Sequence, residues 1–175
     1  MKLNIPNCLT FLRILLIPVI ILLFLSGDDS NRTVVFILFV IASVTDYLDG
    51  FFARYMKQQT SFGEFLDPIA DKLLVITMLM LLVSENNNIF FLVPVLIIVS
   101  REFLVIAIRQ RLAELGENIK LSVLLISKIK TAIQLISLLM LLYKFPFFGL
   151  DTYQYGTYLL QIASLLTLIS FFYYV

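Results

Sequence analysis

The stretch D-Y-L-D-G-F-F-A-R-Y-M-K-Q-Q-T-S-F-G-E-F-L-D-P-I-A-D, residues 46–71, joins two strongly apolar segments and sets four carboxylates at their junction. At about 100° per helical residue, Asp46, Asp49, Gly50 and Ala53 fall within roughly 100° of one another. Two acids therefore share a helix face with two residues that have almost no side chain, and such a face holds charge while admitting a bulky ligand. Asp67 and Asp71, four apart, share a face of the following helix. Residues 55–65 contain a polar run and Gly63, which suits a tight reversal that would bring the two acidic faces together. Four gathered carboxylates cannot all stay ionised without compensating charge. Divalent cations are the natural compensation, and oxygen-only ligands favour Mg2+, Mn2+ or Ca2+ over zinc. With no His and a single Cys, the chain cannot build a typical zinc site. Taken singly, each acid could be a helix cap, a surface charge or an ion-pair partner of Arg54 or Lys72. Four at these spacings near membrane depth read as functional.

Outward from this stretch the chain is apolar almost throughout. Of its 175 residues, 61% are hydrophobic and only 14% charged, and the mean hydropathy is +0.99. Those values exceed what a soluble domain carries. The expectation is an all-α polytopic membrane protein, a single domain over residues 1–175 with most of its apolar surface facing lipid. Six apolar segments can be placed at about 8–26, 33–55, 66–84, 89–110, 121–143 and 153–174, each long enough for a transmembrane helix. A short interfacial segment precedes them, with Pro6 near a helix start. The first run is long and lacks a convincing cleavage site, so it reads as a retained membrane helix rather than a signal peptide. The last reads as a lipid-facing or dimer-forming helix. With the N-terminus cytoplasmic, the inside ends carry Lys2, Arg54, Lys57, Arg109, Arg111 and Lys120, and the outside loops only Arg32 and Lys144. That bias places the 46–71 reversal on the cytoplasmic side.

Other polar residues recur inside apolar segments. Asn7, Thr10 and Arg13, at spacing three, lie along one side of the first helix. The plain alternatives are an N-cap for Asn7 and a snorkelling cation for Arg13. Arg101 and Glu102 interrupt the fourth segment, Arg109 follows Arg101 by two helical turns and about 80°, and Lys128 and Lys130 sit in the fifth. Glu102 could neutralise one Arg. The four cations still outnumber that one nearby membrane acid. A phosphate-bearing substrate would supply the missing anion, with Arg giving bidentate contacts and Lys a point charge.

The pattern D-x2-D-G-x2-A-R-x8-G-x3-D-x3-D, carried by Asp46, Asp49, Gly50, Ala53, Arg54, Gly63, Asp67 and Asp71, resembles the signature of the CDP-alcohol phosphotransferases without a departure. The resemblance implies integral membrane enzymes that move a phosphatidyl group from CDP-diacylglycerol to an alcohol, releasing CMP, and it implies a homodimer. It makes Asp46, Asp49 and Asp67 chiefly ligands of two divalent cations, Mg2+ or Mn2+, and Asp71 both a ligand and the general base. Asn7, Thr10, Asp49, Gly50, Ala53, Arg54 and Gly63 would then accommodate CDP-diacylglycerol.

The opening N-I-P-N-x-L-T-x-x-R, and R-E-F-L-V-x-x-x-R-x-x-x-A-E-L-G followed by K-x-K-T-A-x-Q, resemble one branch of that family, the bacterial phosphatidylglycerophosphate synthases. Their acceptor is sn-glycerol 3-phosphate. That resemblance implies that Arg101, Arg109, Lys128 and Lys130 grip the acceptor phosphate. It also implies anionic phospholipid synthesis in the bacterial cytoplasmic membrane, with the active site facing the cytoplasm and no nucleic-acid partner. The chain departs from its branch at Ser127, where relatives usually carry Gly. Two alternatives stand beside this expectation. Another acceptor, such as inositol phosphate, would use the same chemistry, whereas serine would leave the basic cluster without a partner. A divalent-cation transporter would also use intramembrane acids, but more often near mid-membrane on broken helices in paired repeats. Here one acidic cluster lies near one face and no repeat is visible.

Overall fold

The computed structural model of the chain describes the backbone of residues 5–56, 61–86, 88–114, 125–143, 145, 146, 149 and 151–172. Within these, the side chains of 5–9, 46–56, 61–68, 71, 109, 112–114, 125–127 and 172 lie outside the description. The described residues form six helices and no strand: α1 Ile5–Leu25, α2 Asp29–Met56, α3 Ser61–Glu85, α4 Ile89–Glu114, α5 Leu125–Tyr143 and α6 Thr152–Phe172. All six expected segments are present as helices. Several ends differ from expectation, with α1 and α2 beginning three and four residues early. α3 begins five residues early and takes Gly63 into its first turn, because a single helical glycine costs only about 1 kcal/mol. α4 continues through R-Q-R-L-A-E to Glu114, a run that is polar yet composed of good helix formers.

Short polar residues fix the helix ends. Gly27 adopts a φ of 71° after α1, a left-handed conformation that costs glycine little and commonly terminates helices. Asp28 then caps α2, its Oδ1 accepting from Ser30 N at 3.3 Å. Asn88 caps α4 through Phe90 N at 2.9 Å, and Asp151 caps α6 through Tyr153 N at 3.0 Å. Each satisfies a backbone donor that the helix itself leaves without a partner.

The chain divides into two compact units, Met1–Leu81 and Leu82–Val175. In the first, α1 packs on α2. The buried positions Thr10, Arg13, Ile20 and Phe24 form a stripe at helical spacing on α1, and Val35, Phe39 and Ala42 form one on α2. Arg32, at the start of α2, sits 4.9 Å from the Phe24 ring centroid, within range for a cation–π contact.

In the second unit α6 packs on both α5 and α4. The buried face of α6 is mostly small or polar, with one leucine: Thr152, Gly156, Leu160, Ala163, Ser164, Thr167 and Ser170. Ser164, Thr167 and Ser170 donate to carbonyls of their own helix at 2.7, 2.6 and 2.9 Å, so they are buried without orphaned hydroxyl groups. Small residues also permit close approach. Ser137 of α5 donates to the Gly156 carbonyl at 2.7 Å, and a Cβ placed at Gly156 would meet Leu141 Cγ at 2.9 Å. The last helix thus has a packed face, while Tyr155, Tyr158, Ile162, Leu165 and Ile169 are exposed on its other side.

Among the described residues, Ile89–Ile108 of α4 is long and apolar enough to cross a membrane, with a mean hydropathy of 2.5, and Thr10–Leu25 of α1 is a shorter apolar stretch. In α6, the polar residues that face its neighbours dilute the hydropathy.

Candidate active site

The acidic set lies wholly in the first unit. The α2 backbone is helical through Asp46 and Asp49, three apart, and the α3 backbone through Asp67 and Asp71, four apart. The register expected from sequence is therefore retained on each helix, and each pair occupies one face. The side chains of these four residues, and of Asn7, Gly50, Ala53, Arg54, Gly63 and Arg109, lie outside the described residues. Of the remaining candidates in this unit, Thr10 is buried beside the fully buried Arg13 on the inward stripe of α1. Arg13 is consequently not a snorkelling side chain.

The cationic set belongs to the second unit, where Arg101, Glu102 and Lys130 are all buried. Glu102 Oε1 accepts from Lys130 Nζ at 2.6 Å and from Arg101 Nη1 at 3.3 Å. Arg101 Nη2 donates to Ser170 Oγ on α6 at 3.3 Å, so one Arg ties the ion pair to a second helix. Lys128 is exposed. Residues two apart on a helix do not face the same way, and the two lysines divide accordingly. Glu102 does more than the sequence suggested: it pairs with a lysine of another helix as well as with the adjacent arginine. Ser170 went unnoticed in the sequence, although small residues at 163, 167 and 170 follow helical spacing and mark a packed face.

Chemically, the described cluster offers concentrated positive charge with directional N–H donors, suited to an oxyanion. The carboxylate pattern offers hard oxygen donors, suited to Mg2+ or Mn2+ rather than zinc. Among the described residues there is no group of three or more Asp, Glu, His or Cys that could hold a metal ion, and the side chains of the four Asp lie outside them.

An all-α chain that joins an acidic helix pair to buried cations has the parts expected of a helical transferase acting on phosphate esters. The chain belongs to the CDP-alcohol phosphatidyltransferase family, whose sequence profile matches residues 3–172. It is similar to proteins named CDP-diacylglycerol–glycerol-3-phosphate 3-phosphatidyltransferase from three bacteria. The protein from Haemophilus influenzae is 40% identical over 176 residues, covering 99% of this chain and 92% of that one. Its counterpart from Wigglesworthia glossinidia brevipalpis is 38% identical over 173 residues, covering 99% and 95%. The Escherichia coli protein is 36% identical over 174 residues, covering 99% and 94%.

Proposed function

We propose that the chain transfers the phosphatidyl group of CDP-diacylglycerol to sn-glycerol 3-phosphate, giving phosphatidylglycerophosphate and CMP in anionic phospholipid synthesis. The observation that carries this is similarity along nearly the whole chain to proteins named for that reaction, in a sequence that keeps every position of the eight-residue pattern from Asp46 to Asp71. The exposed apolar residues of α1, α2, α4 and α6, among them Leu15, Leu22, Val34, Phe90 and Leu165, support six membrane-spanning helices in a bacterial cytoplasmic membrane. The charge bias supports an active site on the cytoplasmic side. A homodimer is part of the proposal.

The acceptor oxygen forms a bond to the β-phosphorus of CDP-diacylglycerol, the bond from that phosphorus to CMP breaks, and the hydroxyl proton goes to Asp71 as general base. The family depends on a divalent cation, and the all-oxygen donor set fits one. We assign Asp46, Asp49, Asp67 and Asp71 to hold two such ions, Mg2+ or Mn2+. When bound, the metals supply charge neutralisation at the pyrophosphate and the leaving phosphate. Gly50, Ala53 and Gly63 leave room for the nucleotide, Arg54 contacts its phosphates, and Asn7 and Thr10 line the same substrate's site. Arg101, Arg109 and Lys130 bind the phosphate of glycerol 3-phosphate and aim its free hydroxyl at the phosphorus, whereas Lys128, exposed on a different side of α5, does not share that grip.

The test is CMP release by purified protein in mixed micelles with CDP-diacylglycerol and Mg2+, comparing glycerol 3-phosphate, inositol phosphate, serine and phosphatidylglycerol. Release with glycerol 3-phosphate alone is expected. Turnover with inositol phosphate in its place would overturn the acceptor assignment and keep the chemistry.

A further inference from the structure

Arg101 lies almost out of solvent, 8% exposed, and its guanidinium is held from two sides. Nη1 donates to Glu102 Oε1 of its own helix at 3.3 Å, and Nη2 donates to Ser170 Oγ of α6 at 3.3 Å. A guanidinium is a rigid plane, so bonds from both Nη atoms to fixed partners set the direction of that plane. Glu102 is the next residue of α4, whereas Ser170 ties the guanidinium directly to a neighbouring helix. Ser170 is itself buried, 1% exposed, and its hydroxyl donates to the Thr167 carbonyl at 2.9 Å. A hydroxyl has one proton to give and two lone pairs to accept with. With the proton committed to the α6 backbone, Ser170 meets Arg101 as an acceptor only. The backbone of α6 thus fixes the hydroxyl, and the hydroxyl fixes the guanidinium.

The neutrality of this partner suits an anion site. A carboxylate at the same place would compete with a phosphate for the guanidinium. A hydroxyl oxygen orients the cation without cancelling any of its charge, and an oriented guanidinium is what paired N–H contacts to a phosphate require.

We propose that Ser170 is a positioning residue for the acceptor phosphate, its hydroxyl locked as an acceptor by Thr167 and aiming the Arg101 guanidinium. This rests on the assignment of Arg101 to the acceptor site. It goes beyond that assignment by bringing α6, which its sequence marks only as a lipid-facing or dimer-forming helix, into the binding of that substrate.

The experiment is steady-state kinetics of the full-length protein in mixed micelles against both substrates, for S170A, S170C, S170T, R101M and R101M/S170A. S170A removes one oxygen, and Gln161 still joins α6 to α4, so the fold is expected to persist. S170A should raise the KM for glycerol 3-phosphate about threefold to tenfold, the scale of one hydrogen bond, with kcat within about twofold and the KM for CDP-diacylglycerol unchanged. S170T, which restores the hydroxyl, recovers most of that loss, and R101M/S170A is no worse than R101M because Ser170 acts through Arg101. Glycerol 3-phosphate should also raise the Tm of S170A less than that of the wild type. If S170A does not fold, the near-isosteric S170C decides, with a rise in acceptor KM alone supporting the role. Equal rises in both KM values, a fall in kcat with both KM values intact, or no rescue by S170T would make Ser170 merely structural and overturn the proposal. An added loss from S170A in the R101M background would overturn it too, as would R101M raising the acceptor KM while S170A leaves it at the wild-type value. A wild-type acceptor KM in R101M would remove the acceptor-site assignment beneath the proposal as well.

Discussion

As the proposed general base, Asp71 would carry the heaviest chemical demand of any single residue, because proton removal by a positioned base contributes about 10²- to 10⁴-fold to a rate. Asp71→Asn keeps the size and loses the basicity, so CMP release should fall by at least about 100-fold while the circular dichroism spectrum and elution profile stay unchanged; near-normal turnover would remove Asp71 as base. Gly156 makes a steric demand instead. Gly156→Val places a branched side chain 3.2 Å from the Leu141 backbone nitrogen, with its Cβ 2.9 Å from Leu141 Cγ. Overpacking of this kind costs about 1–3 kcal/mol, which should appear as a lowered Tm in detergent; an unchanged Tm would mean that the α5 and α6 backbones part easily. The residues differ in how far the sequence exposed them. The helical register of the four Asp was legible because spacing is a property of one helix at a time, and α2 and α3 keep it. The split between buried Lys130 and exposed Lys128 was legible in principle from the same geometry. Glu102 pairing with Lys130 was not, because it joins residues 28 apart on different helices and only the fold determines which helices meet.

Among the helices, α4 illustrates how one element settles its own backbone with help from a neighbour. Pro94 lies inside it and has no N–H to give the carbonyl four residues back. That carbonyl belongs to Phe90, and Gln161 of α6 donates Nε2 to it at 3.2 Å. The bond ties α4 to α6 at one end of their contact, as Arg101 with Ser170 does further along. Gln161→Leu should therefore cost about 0.5–1.5 kcal/mol, and Pro94→Ala, which restores a donor within α4, should remove most of that cost. A double-mutant cycle by chemical denaturation measures the coupling; strictly additive effects would show that the Gln161 bond does not answer the proline. The existence of all six helices was legible because long apolar segments are the strongest signal a sequence carries. Their ends were less so. Gly63 reads locally as a turn residue yet lies in α3, and the polar tail of α4 reads as a loop though its residues favour helix, because packing and propensity outweigh local punctuation.

For the whole molecule, the hydropathy of the full sequence points to a membrane more broadly than the folded helices taken one by one, since polar residues on the packed face of α6 lower its apolar score while Ile89–Ile108 of α4 stays long and apolar enough to cross one. Function follows a similar division. The reaction class was written in eight positions over one short stretch, whereas the proposed acceptor site draws on cations scattered across α4 and α5. Metal removal probes the first part: thorough EDTA treatment should abolish turnover and Mg2+ or Mn2+ restore it, and full activity after chelation would contradict the carboxylate assignment. The most direct test of the central claim follows both halves of the reaction at once, using radiolabelled sn-glycerol 3-phosphate with CDP-diacylglycerol, Mg2+ and the purified protein in mixed micelles. Label should enter the lipid phase as phosphatidylglycerophosphate in step with CMP release, and Asp71→Asn should stop both. CMP release without lipid labelling, or labelling that survives Asp71→Asn, would contradict the account.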